Sequence, residues 1–77
     1  MMKTAREMFE ELGYEQTENN LIYLVYENNF SPTITIRFYK EVGGCLVDSN
    51  DLPVLMTLEE YKVIVKQLEE LGWLDVD

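Results

Sequence analysis

The chain has 77 residues, with fifteen acidic against six basic side chains, no histidine, one cysteine and a formal charge of −9. That length sets a single small domain, residues 1–77, which hides roughly 60% of its unfolded surface and is marginal on its core alone. One cysteine and no histidine exclude an internal disulfide and a Cys/His zinc site, and the charge argues against direct binding to nucleic acid or an anionic membrane.

Thr4 and Glu7 stand at capping-box spacing, and Ala5, Met8, Phe9 and Leu12 follow as an apolar stripe, which predicts a helix over about 4–12. Gly13 ends it, with Tyr14 able to reach back to Phe9. Glu15 to Asn20 is polar and reads as a connecting loop. Leu21 to Glu27, LIYLVYE, is aromatic and β-branched, hence a strand at about 21–27 that is apolar on both faces. Asn28 to Pro32 reads as a turn. The strand at 33–40, TITIRFYK, alternates: Ile34, Ile36 and Phe38 point one way, Thr35, Arg37 and Tyr39 the other. Gly43-Gly44 makes a hairpin turn, two-residue or within a four-residue loop, and a strand returns at 45–48. Ser49 to Pro53 is an irregular loop, Leu55-Met56 is briefly extended, and Leu74 to Asp77 frays.

A second helix over about 58–71 has the sharpest signal: a capping box at Thr57 and Glu60, a Met56–Tyr61 staple, and Gly72 ending it with Trp73 folded back. Its apolar stripe places Leu58, Tyr61, Ile64, Val65 and Leu68 in the core. The order α-β-β-β-α predicts a two-layer α+β sandwich: a three-stranded antiparallel meander with both helices on one face, over Ile34, Ile36 and Phe38.

Enzyme chemistry fails on inventory. No Ser-His or Cys-His pair can form, and Cys45 sits beside a tight turn as a small apolar residue of the inner face. Gly43-Gly44 lacks the Lys-Ser/Thr of a phosphate loop, and Asp48, Asn50 and Asp51 lack the glycine and closing Glu of a calcium loop. The expectation is no catalytic residue, no cofactor and no metal.

Two surfaces remain. If Glu27 sits opposite Thr33, Ile22, Leu24 and Tyr26 go inward and Leu21, Tyr23 and Val25 outward; a loop one residue shorter or longer exchanges the sets. The expected interaction patch is Leu21, Tyr23, Val25, Arg37, Tyr39 and Leu46 on the outer sheet face, where a second copy or a host or phage protein would dock. The other surface is acidic. Glu10, Glu11, Glu69 and Glu70 lie in last helical turns, against the negative end of the macrodipole. They suggest an alternative: an acidic decoy that imitates nucleic acid in a basic groove.

The opening KTAREMFEELGY and closing TLEEYKVIVKQLEELGW resemble the ends of small phage and prophage proteins of Gram-positive bacteria. The likeness covers most of the chain, with a more variable strand region between. Those proteins have no assigned activity, so no site residue carries over. The resemblance implies a phage-derived origin and a bacterial cytoplasm. The absence of an apolar leader and of any long apolar run agrees with an intracellular setting.

Overall fold

The computed structural model describes residues 3–28, 33–49 and 55–74. Helix α1 (Ala5–Glu11) starts at the expected capping box, with Thr4 Oγ1 accepting from Glu7 N–H and the Glu7 carboxylate accepting from Thr4 N–H at 2.9 Å. Helix α2 (Leu58–Glu70) repeats the device with Thr57 and Glu60. Each helix ends on a glycine at positive φ, Gly13 at 95° and Gly72 at 78°, a geometry that strains any residue carrying a Cβ. At Gly72 the Schellman pattern forms: Gly72 N–H donates to the Glu69 carbonyl and Trp73 N–H to the Leu68 carbonyl, both at 3.0 Å. Beyond Gly13, Tyr14 meets Phe9 edge-on with ring centroids 5.6 Å apart.

The sheet has four strands rather than three: β1 (Tyr14–Asn19), β2 (Tyr23–Asn28), β3 (Ile34–Tyr39) and β4 (Gly44–Ser49), an antiparallel meander in chain order. The expected loop over Glu15 to Asn20 is almost all strand. β1 hides from sequence patterning because it is an edge: after Tyr14 and Gln16 its side chains stay in water, so nothing apolar alternates. A register shift between Gln16 and Glu18 interrupts its pairing with β2. β2 starts later than expected, because Leu21 and Ile22 belong to a turn. There Asn20 Oδ1 accepts from the N–H groups of Ile22 and Tyr23, each at 2.8 Å.

Glu27 lies opposite Thr35, two residues beyond the expected Thr33. Parity is unchanged by a shift of two, so Leu24 and Tyr26 join Ile34, Ile36 and Phe38 inside, and Tyr23 and Val25 face out. The β3–β4 turn is the four-residue form, Lys40 to Gly43, between the paired Tyr39 and Gly44. Leu55 and Met56 form no strand. The rest of the expected turn at Asn28 to Pro32 and of the loop at Ser49 to Pro53, and the tail beyond Leu74, lie outside the described residues.

Both helices cover the inner face, which makes the molecule two-layer α+β. Phe9 stacks on Tyr26 at 4.0 Å, and Trp73 lies 6.3 Å from Phe38. Helix α2 is turned from its expected setting. Ile64 is buried and Leu68 half-buried, but Leu58 is 67% and Tyr61 55% exposed, and Val65 is exposed too. Val63 and Gln67 are buried in their place. Polar anchors cause the turn. The Tyr26 hydroxyl accepts from Gln16 Nε2 at 3.2 Å and donates to Gln67 Oε1 at 2.7 Å, while the Tyr14 hydroxyl donates to the Glu60 carboxylate. These bonds draw Glu60 and Gln67 inward and swing Tyr61 and Val65 out. Met56 packs into the core, and Tyr61, the other half of the expected staple, stands mostly in water.

Candidate functional site

No helix among the described residues covers the outer face of the sheet. Its rows follow from the register: Tyr23 beside Tyr39, Val25 beside Arg37 and Leu46, Glu27 beside Thr35 and Asp48. Tyr23 and Tyr39 meet edge-on at 5.3 Å. Arg37 pairs with Asp48 at 3.6 Å, and Thr35 Oγ1 donates to the Glu27 carboxylate at 3.3 Å. Val25, flanked in its row by Glu18 and Arg37, is 4% exposed, so it is the floor of the patch rather than a contact residue.

The meander brings the β1–β2 turn and the β3–β4 turn to the same end of the sheet. They are tied there by the Tyr23–Tyr39 pair and by Lys40 N–H donating to the Ile22 carbonyl at 2.9 Å. Leu21, 92% exposed, and Val42, 81% exposed, are bare aliphatic residues on these adjacent turns. Ile22 and Leu46 are exposed near them. Five of the six expected patch residues therefore border one bared end, with Val25 beneath. Sequence reading missed Ile22 and Val42. The signal for Val42 was present: an aliphatic residue directly before Gly43-Gly44, where a turn normally takes a polar one.

Three of the four glutamates are engaged within the chain. Glu70 Oε2 accepts from Ala5 N–H at 2.8 Å, which sets the end of α2 beside the start of α1. Tyr14, just past the end of α1, bonds Glu60 near the start of α2, so the two helices run antiparallel. Glu10 pairs with Arg6 at 3.6 Å, Glu11 pairs with Lys3, and Glu69 is exposed.

Cys45 lies opposite Phe38, on the inner side as expected, and it is exposed there. Partial desolvation pushes its thiol above its ordinary pKa, the reverse of what a nucleophile needs. Burial raises the hydroxyl pKa of Tyr14, reinforced by its bond to Glu60, and burial raises that of Tyr26 as well. Both are structural donors below the helices. A shallow recess of about 400 Å³, lined by Thr33, Thr35, Asp48 and Ser49, offers hydroxyls and a carboxylate already engaged with Arg37. Among the described residues no cluster of metal-ligating side chains forms, and no helix is long and apolar enough to cross a membrane. Asn50 and Asp51 of the calcium-like stretch lie outside the described residues. No family model, no curated protein and no solved structure matches the chain.

Proposed function

We propose that the chain is a non-catalytic protein-interaction module that forms a homodimer and meets its partners through the outer face of its sheet. The observation that carries this reading is the bared apolar end of that face, where Leu21, Val42 and Leu46 stand exposed around the Tyr23–Tyr39 pair. A small monomer with a net charge of −9 has no stabilising reason to keep aliphatic residues on two adjacent turns in water. Burial of that end against a partner, and pairing with a second copy that covers Leu46, would each add stability that a 77-residue core lacks. A phage-derived origin and a bacterial cytoplasm belong to the same proposal, on the likeness of the two chain ends. The decoy reading is weaker, because Glu10, Glu11 and Glu70 are engaged within the chain.

Sedimentation equilibrium at micromolar concentrations tests the proposal. A dimer is expected for the natural chain, and a monomer for Leu46→Glu. A natural chain that stays monomeric at every concentration sinks the homodimer.

A further inference from the structure

We propose that two copies of the chain join edge to edge through β4, antiparallel about a two-fold axis at Leu46, into one continuous sheet with every helix on the same side. This rests on the reading that the chain self-associates, and gives that association its geometry.

The hydrogen-bonding direction of each strand residue comes first. Lys40 N–H donates to the Ile22 carbonyl, so even-numbered residues of β3 bond toward β2 and odd-numbered ones toward β4. Thr35, Arg37 and Tyr39 therefore bond with Asp48, Leu46 and Gly44. The intervening Cys45 and Val47 turn their N–H and C=O groups to the open edge. No described strand pairs with that edge, so a second strand laid there finds a row of directional bonding groups.

The two edges of the sheet are not equivalent. β1 breaks register between Gln16 and Glu18 and carries carboxylates at Glu15 and Glu18. Both features discourage strand addition, and a β1–β4 contact would set those carboxylates beside Asp48. β4 pairs with β3 without any shift from Tyr39–Gly44 to Ile34–Ser49, and Cys45, Leu46 and Val47 form its middle. The self-association therefore closes at a β4 pair and does not grow into a filament.

The occupant is a second copy because β4 is complementary to itself in one register. Centred on Leu46, Cys45 and Val47 exchange backbone bonds with Val47 and Cys45 of the second copy. On the outer face Leu46 meets Leu46 of the second copy, and Asp48 lies over Gly44, where no side chain obstructs it. On the inner face Cys45 extends the row of Phe38, and Val47 of the second copy continues it toward its own Ile36. Sliding by one pair sets Asp48 against Leu46, and sliding further sets Asp48 against itself. On the inner side of β4, Cys45 is exposed and Val47, packed against the core, is half-buried. Edge pairing also makes the outer patches of two copies coplanar, so a partner meets a face twice as wide.

The test combines sedimentation equilibrium with amide hydrogen exchange read by NMR, and with disulfide trapping in a Cys45→Ser background. Directly opposed residues of a non-hydrogen-bonded pair lie about 4.5 Å apart at Cα, within disulfide reach. Leu46→Cys is expected to lock the dimer under mild oxidation, and Tyr39→Cys in the same background is not. The amides of Cys45 and Val47 are expected to exchange more than about tenfold slower as the dimer fills. A monomer at all concentrations overturns the self-association reading itself. A dimer in which those amides exchange freely, or in which Tyr39→Cys traps and Leu46→Cys does not, overturns the edge geometry and leaves self-association standing.

Discussion

A carboxylate in the last turn of a helix faces the negative end of the macrodipole, and Glu70 holds that position on α2. The Ala5 N–H, at the positive end of α1, is what its carboxylate meets at 2.8 Å. Glu70 thus serves a neighbouring helix at the expense of its own. Glu70→Lys should cost about 1 kcal/mol in urea unfolding, whereas Glu69→Lys should stay within about 0.5 kcal/mol; equal effects would remove the capping role. The Tyr26 hydroxyl works on the same scale, since it satisfies the buried Gln67. Tyr26→Phe should cost about 1–3 kcal/mol by leaving that carbonyl oxygen unpaired. Adding Gln67→Met should recover most of the loss, because an apolar pair of similar shape strands no polar atom. A second change that only adds to the first would show that the bond is incidental. Proton binding makes a third case. Burial first, and for Tyr14 the bond to Glu60 next, hold the hydroxyl protons of Tyr14 and Tyr26 above the ordinary value of 10.0. The folded chain then binds these protons more tightly than the unfolded chain does. Their contribution is complete below that value and is lost as pH climbs past it. Melting temperature should fall above about pH 10, and less steeply in Tyr14→Phe. An unchanged slope in that variant would show that Tyr14 is not the group involved.

The α2 capping box and both glycine helix ends were legible in sequence because they are local: each needs only neighbours along the chain. The alternation of Ile34, Ile36 and Phe38 was legible because β3 has one dry and one wet side. β1 was not legible, for among the described strands only β2 pairs with it and its side chains beyond Gln16 meet water, so backbone pairing to β2 is what marks YEQTEN as a strand. Nor was the setting of α2. Counting apolar residues centres its stripe on Tyr61, Val65 and Leu68, roughly a quarter turn from the face actually buried. Hydrophobicity cannot see that Glu60 and Gln67 are drawn inward by tyrosines distant in sequence. The rotation has a measurable outcome. Ile64→Ala should cost about 2–5 kcal/mol, while Val65→Lys, adjacent in sequence, should cost less than about 0.5. Comparable losses at both positions would mean that the stripe faces the core after all. For the candidate site, strand alternation placed Arg37, Tyr39 and Leu46 on one face, while Tyr23 joined them only for one parity of the first hairpin loop, which the register of β2 and β3 supplies. That two turns share one end, and that Ile22 and Val42 therefore join the patch, depends on strand number and so required the fold.

Charge acts on the whole molecule. Each copy carries −9, so two copies repel at every separation within a Debye length, whatever face they share. An association through β4 backbone bonds and Leu46 has no ionic attraction to set against that repulsion. Leu46→Glu would place two further carboxylates across the two-fold, whereas Glu70 lies in the helix layer beside Ala5, so Glu70→Lys should leave the dimer intact. Salt separates the two readings of the acidic surface. Screening weakens repulsion between like copies, so the dimer should tighten several-fold as ionic strength rises from about 0.05 to about 0.5 M. A decoy held in a basic groove behaves in the opposite way, because its affinity is Coulombic attraction and salt removes it. Sedimentation equilibrium across that salt range, run on the natural chain alone, gives the sign directly. A dimer that loosens as salt is added would place ionic contacts at its interface and rule out an apolar, hydrogen-bonded β4 edge as what holds it.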